Sequence, residues 1–587
     1  MIEPISPEAY LAIASAAKNT VTKYKDNRHA KKSAKLANAS SQNSSNETSL
    51  SSGSLDDLLA QEGLQLDEDG YVQFSSDSPA HARAWSQARK VYDMMLIMFL
   101  NFFMSAMSNA GTPVASYAME TFGVSRVIAL LGFTTAYLIG LAIGHLLFSP
   151  YADSFGRKTL YVASAFLFSV FCIPVAATPH IAAVFVGRFV TGFVSAIPRI
   201  TVISSIDDLF GKSQGRSWAF FASSLTSNIG LIIGPIFASQ IAVALNWRWP
   251  FYISTIIFSV LSLLFLTTNE SSSTNLLNGK IALLRSSRPD IEHHAAPRPL
   301  SPSPYQPLVI LFASPFVLLT TLISALILSI LYILPLILPL IYTSNAYKLT
   351  SQTSISLFSL AVIGLLFTVL PRYWNHLSPS SGQRSVSSGQ RLMNKYGPLT
   401  YVVGALALPI ALWWFAWTIP PHTTGTPWVA SGLSLILLGW AIGEITIFLL
   451  QSLVLFSHAA ADKRSVLTDT AFWQAIFGGG GVLVTEVMYK NLNNNIATSV
   501  LAAIATVMGL CILVLVYGTT HRRDPRGAAG EEAGQRGLLE EKQKKKERKE
   551  REKRERAENG EGEYTSVTAA GAMGLDLDRL AIFPYFF

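Results

Sequence analysis

Apolar runs of about 20 residues recur along this chain and constrain its fold more than any other feature. A run of roughly 18 or more apolar residues is long enough to cross the hydrocarbon layer of a bilayer. Lipid offers backbone amides no hydrogen-bond partner, so such runs are predicted to be helices. Six lie in the first half, near residues 93–115, 127–148, 158–177, 181–204, 218–245 and 251–266. Six more follow near 308–342, 355–370, 399–419, 429–456, 465–489 and 496–517. The seventh is too long for one upright span, and Pro315, Pro335 and Pro339 are candidates to break it.

Only 14% of the 587 residues are charged. A soluble domain approaches about 25%, so the composition excludes that class. Cys172 and Cys511, the two cysteines, both sit inside apolar runs and read as packing residues rather than a disulfide or metal pair. Residues 1–90 are rich in Ser and Asn and read as a disordered tail, and the N-terminus lacks the core of a cleavable signal peptide. Residues 91–268 hold the first six spans, 269–306 form a basic central loop, 307–520 hold the second six, and 521–587 form a charged tail. That tail reads as a solvated charge-alternating helix, with attraction to anionic lipid as the sharper alternative and nucleic-acid binding excluded.

Orientation follows the excess of Lys and Arg in cytoplasmic loops. With the N-terminus inside, the inner loops hold Arg157, Lys158, Lys212, Arg216, Arg372, Arg384, Arg391, Lys395, Lys463 and Arg464. The outer loops hold only Arg126, Arg248, Lys348 and Lys490. An even number of spans with both termini cytoplasmic is expected, most plausibly in the plasma membrane, with the vacuolar membrane as the alternative.

Three local patterns in the first half carry specificity. The loop after the second run reads Ser149-Pro150-Tyr151-Ala152-Asp153-Ser154-Phe155-Gly156-Arg157-Lys158. It resembles the G-x-x-x-D-R-x-G-R-K signature of the major facilitator superfamily, with Ser149 and Ser154 as departures. Arg188-Phe189-Val190-Thr191-Gly192 resembles the family's R-x-x-x-G pattern in the fourth span. Gly230-Leu231-Ile232-Ile233-Gly234-Pro235-Ile236-Phe237-Ala238-Ser239 resembles the G-x-x-x-G-P-x-x-G-G pattern of drug–proton antiporters. Asn246-Trp247-Arg248-Trp249-Pro250-Phe251-Tyr252 is similar to the turn before span six in the fungal members of that group.

The resemblance implies an all-α membrane protein with twelve helices in two six-helix bundles. It implies an inner gate of Asp153, Gly156, Arg157 and Lys158, a role for Arg188 in proton transfer, and a hinge at Gly230, Gly234 and Pro235. An ordinary basic turn, a snorkelling arginine and a bare packing face are the respective structural alternatives.

Other candidates come from the residues themselves. Asn101, Ser105 and Asn109 recur every fourth residue and share a helix face, predicted to line a central cavity or to bond a neighbouring helix. Glu444 is a carboxylate at membrane depth, hence a proton-coupling candidate or one half of a structural pair. Gln451 lies near the same face. Asp469 is an expected partner for the signature-loop cations, while Glu486 is expected to reach outer water. Arg188 has Glu120 as a possible local partner, and Arg199 is assigned no coupling role. The run Gly478-Gly479-Gly480-Gly481 suggests flexibility or close packing.

The functional expectation is proton-coupled export of a small organic compound by a monomer, without a cofactor. A nutrient importer or a non-transporting receptor of the same fold are the alternatives. Neither a P-loop, a metal-ligand spacing nor a nucleophile–base pair is present to support an enzyme.

Overall fold

The computed structural model describes residues 59–60, 62–66, 71–75, 78, 81–152, 155–211, 214–287, 315–343, 347–372, 388–420, 428–456 and 460–521. For 66, 214, 285–287, 315–316, 388–399, 451–456, 460–467, 512 and 514–521 the description is of the backbone alone. Asp153 and most of both tails lie outside the described residues, as does the side chain of Gln451.

The first half supplies α1 (Gln87–Phe122), α2 (Arg126–Tyr151), α3 (Arg157–Ala177), α4 (Ile181–Phe210), α5 (Gln214–Ala244) and α6 (Trp249–Phe265). The second supplies α7 (Pro315–Tyr342), α8 (Ser351–Arg372), α9 (Ser388–Thr418), α10 (Trp428–Phe456), α11 (Ala460–Asn491) and α12 (Asn494–His521). Among the described residues, eleven helices are long and apolar enough to cross a membrane. The twelfth, α6, has 17 residues, about 25 Å of helix. Outward side chains such as Val186, Ile256, Leu263 and Val484 are more than 60% exposed. Such apolar surface suits hydrocarbon rather than water.

The two halves repeat one packing scheme. In the first, α1 packs along α5, α2 along α4 and α3 along α6; in the second, α7 packs along α11, α8 along α10 and α9 along α12. Between halves, α2 meets α11 and α5 meets both α8 and α10. Glycines make the corresponding crossings close. A Cβ at Gly192 would overlap Tyr137 O where α4 crosses α2, and one at Gly439 would overlap Ala361 O where α10 crosses α8. Small residues let helix backbones approach where lipid supplies no hydrophobic drive.

Three expectations change. The described part of the seventh run, Pro315–Tyr342, is one helix with Pro335 and Pro339 inside it, and residues 308–314 lie outside the described residues. Residues expected to be disordered include a small antiparallel hairpin, Leu64–Leu66 with Val72–Phe74, in register Leu64 to Phe74. The central loop contains a helix, Ser273–Ser287. Its Leu276, Lys280 and Leu283 follow helical rather than loop spacing.

Candidate functional site

Between the halves lies a cavity of about 460 Å³. From the first half Asn101, Ser223, Ser227 and Asn228 give it polar groups; from the second, Thr446, Thr470 and Gln474 do. Leu141, Ile200, Leu231, Leu328, Leu331 and Leu449 make the rest of the wall apolar. Asn101 Nδ2 donates to Ser227 Oγ at 2.6 Å. Asn228 Nδ2 donates to Thr446 Oγ1 at 2.8 Å and so bridges the halves.

The cavity reaches the end of the bundle that carries the α2–α3 loop, where Arg157, Asp207 and Asp208 line it. Its other end is closed. Asn109 Nδ2 donates to Leu231 O at 2.8 Å and Leu331 O at 2.9 Å. Tyr332 Oη donates to Ser108 Oγ at 2.7 Å. Farther out, Arg126 on α2 pairs with Glu486 on α11 at 3.5 Å, and Lys490 approaches the same carboxylate at 3.3 Å. Glu486 is 1% exposed. The expectation that it reaches open water is thus corrected: the fold encloses it between two cations from different helices.

The polar face of α1 divides by depth. Asn101 lines the cavity. Ser105 is buried and accepts from Arg199 Nη2 at 3.5 Å. Asn109, bonded to α5 and α7, acts between helices instead of lining the cavity.

At the signature loop, Arg157 is buried and pairs with Asp208 at 3.4 Å, and Arg216 pairs with Asp207 at 2.5 Å. Glu270 caps α3, accepting from the Arg157 N–H at 2.8 Å and the Lys158 N–H at 3.3 Å. A carboxylate at a helix N-terminus also meets the positive end of the helix dipole. Gly156 leaves room for this cap, since a Cβ there would displace the Glu270 carboxylate. Lys158 Nζ donates to Leu266 O at 2.7 Å. Asp469, expected to meet these cations, does not: it is fully buried, and the side chain that faces it is Trp473 of its own helix. Helix geometry explains this, because Thr470, Ala471 and Gln474 line the cavity while Asp469 points from another face of α11.

Arg188 is fully buried with carbonyl partners rather than Glu120. Its Nε donates to Phe133 O at 2.6 Å and Nη2 to Met107 O at 3.0 Å, and the guanidinium lies 4.5 Å from the Tyr137 ring centroid. Phe133 sits in a π-helical turn of α2, Leu131–Thr135. Such a turn shifts the hydrogen-bond register of the helix, and the Phe133 carbonyl within it meets the arginine.

Glu444 lies outside the cavity wall. Its carboxylate is fully buried and takes two hydrogen bonds from Arg372, each of 3.0 Å, while Arg372 also donates to Thr368 O at 2.8 Å. The structural pair among the two sequence readings is therefore the observed geometry. Gly230 and Gly234 press α5 against Phe102 O and Ala106 O of α1, with Pro235 inside the helix. In the run Gly478–Gly481, a Cβ at Gly479 would press on Thr135, whereas one at Gly480 would meet nothing within 4 Å.

Residues 94–485 match the family model described as Major Facilitator Superfamily. The chain belongs to the major facilitator superfamily. It is a multi-pass membrane transporter, not an enzyme. This facilitator is 28% identical over 457 residues to the transporter paaT of Penicillium rubens, covering 76% of this chain and 81% of that one. It is 26% identical to a multidrug transporter of Candida glabrata, covering 76% and 78% of the two chains. It is also 26% identical to a cycloheximide resistance protein of Candida maltosa, covering 71% and 77%. Among solved structures, the proton:xylose symporter XylE shares the fold with a TM-score of 0.52 at 16% identity, covering 73% of this chain and 96% of that one.

Of two further cavity residues of this facilitator, His145 escaped the sequence reading and Arg199 was given no role in it. His145 on α2 is buried, and its Nδ1 donates to Leu141 O at 2.7 Å, which leaves Nε2 as the basic nitrogen. Arg199 on α4 lines the same cavity. Both are ionisable groups inside apolar runs, a signal in its own right, but neither belongs to a motif that gives it a neighbour.

Proposed function

We propose that this facilitator exports a small organic compound in exchange for protons by alternating access. The observation that carries the reading is a half-open cavity between two similarly packed halves. It is lined by both halves, reaches one end of the bundle and is closed at the other. Rocking of two repeats about a midplane site is the transport scheme such a geometry suits. In this reading the open end faces the cytoplasm, which the excess of Lys and Arg in the loops at that end supports, and the cavity then faces the side from which an exporter loads. The names of the fungal relatives, among them a multidrug transporter and an efflux pump of Floropilus chiversii, point the same way.

In this reading His145 carries the exchanged proton, because it is a titratable base in the cavity wall with one nitrogen left unbonded by its own helix. Arg188 tunes α2 and α1 around it through their carbonyls. Glu444 acts as a strut, since protonating it would break two charge-assisted bonds.

Inside-out vesicles bearing the protein, loaded with a panel of labelled amphipathic compounds in the medium, test the direction and the coupling. Uptake should rise when the lumen is made acidic and fall when a protonophore collapses the gradient. Uptake indifferent to the gradient overturns the proton exchange, and accumulation only under the opposite gradient indicates an importer. His145→Gln should abolish the stimulation by the gradient while leaving compound binding measurable.

A further inference from the structure

The cavity has an unbalanced charge. Asp207 and Asp208 line it near the α2–α3 loop, but Arg216 and Arg157 pair with them. Among the described residues, α7, α10 and α11 bring no charged side chain to the wall. Arg199 remains. Its Nε is buried without a hydrogen-bond partner, and Nη2 has only the 3.5 Å contact to Ser105 Oγ. A buried donor left unmade is costly, and a guanidinium presents a planar fork that matches a carboxylate bidentately. In the same cavity Leu141, Ile200, Leu328 and Leu331 offer apolar wall, and Asn101 and Gln474 offer amide groups. A cleft of about 460 Å³ falls in the range that takes drug-sized molecules.

We propose that Arg199 anchors an anionic group, and that the cavity takes amphipathic organic anions, an apolar body carrying a carboxylate. The inference rests on the cavity being the transport site. It sets this chain apart from a carrier of cations, because nothing in the described wall leaves a carboxylate free to receive an ammonium group. The low-dielectric walls concentrate the field of the Arg199 charge on whatever enters.

The test uses purified full-length protein in detergent and a matched probe set: 1-naphthoate, 1-naphthamide and 1-naphthylmethylamine. Binding is read by competition and by thermal stabilisation. The carboxylate should bind at least about 10-fold more tightly than the amide, the equivalent of one charge-assisted contact, and the amine least of all. Arg199→Gln should erase the preference for the carboxylate without lowering amide affinity, and Arg199→Lys should retain part of it. Equal binding of all three probes by the parent protein, or tighter binding of the amine, overturns the proposal even if the variants fail to fold. So does an unchanged preference in Arg199→Gln. Because binding is measured without a gradient, a carboxylate preference with no gradient-driven flux would sink proton exchange alone, and gradient-driven flux with no preference would sink the anion site alone.

Discussion

Glu444 and Arg372 show how much a buried charge depends on one partner. The carboxylate is shut off from water and makes both of its bonds to a single guanidinium. Removing one member of such a pair leaves the other uncompensated, at a cost of about 3 kcal/mol. Glu444→Gln should therefore lower the thermal stability of the purified protein markedly, and Arg372→Gln likewise. The double variant should recover part of the loss, as a double-mutant cycle in detergent would measure; strictly additive losses would mean that the pair does not couple. The sequence could flag Glu444 as an unusual intramembrane acid, but its partner lies 72 residues away on another helix. No periodicity links the two. Arg188 was legible as a buried cation, and its carbonyl partners were not, since the π-helical turn that offers Phe133 O has no residue signature. Asn109 was legible as inward-facing; whether it met water or α7 depended on the depth at which the halves close.

Helices as elements were the most legible part of the chain, because length and apolarity are all a bilayer demands of them. Their neighbours were less so. A close-packing face on α5 could be read from Gly230, Gly234 and Pro235, but not that α1 would cover it, and the α8–α10 crossing pairs Gly439 on one helix with Gly364 on the other, a match no single stretch of sequence displays. The two kinds of glycine site should respond differently to one methyl group. Gly234→Ala would drive a Cβ into Ala106 O of α1 and should reduce the yield of folded protein in membranes severalfold. Gly480→Ala has open space around it and should leave yield and melting temperature near the parent values. Size-exclusion profiles of the solubilised proteins check both. A well-folded Gly234→Ala protein would show that α1 and α5 have room to separate.

For the whole molecule, the decisive geometry is the closed end opposite the α2–α3 loop. Glu486 holds α2 to α11 there through Arg126. Glu486→Gln should loosen that end and raise the population in which the cavity opens the other way. A reporter cysteine at the cavity wall, Leu328→Cys, measures it once Cys172 and Cys511 are replaced. A membrane-impermeant thiol reagent applied from the α1–α2 loop side should label the reporter slowly in the parent background and severalfold faster with Glu486→Gln. Equal rates would show that this ion pair plays no part in closure. The other ties across that end are Asn109 to Leu331 O, Tyr332 to Ser108, Thr135 to Gly479 O and Gln240 to Ser356. Each hydrogen bond of this kind is worth about 1 kcal/mol net, and driving a two-state equilibrium from one extreme to the other takes about 5.5 kcal/mol. The stitching is thus matched to what a guest molecule can undo. A guest molecule that prefers one arrangement over its mirror has enough leverage to turn the protein inside out.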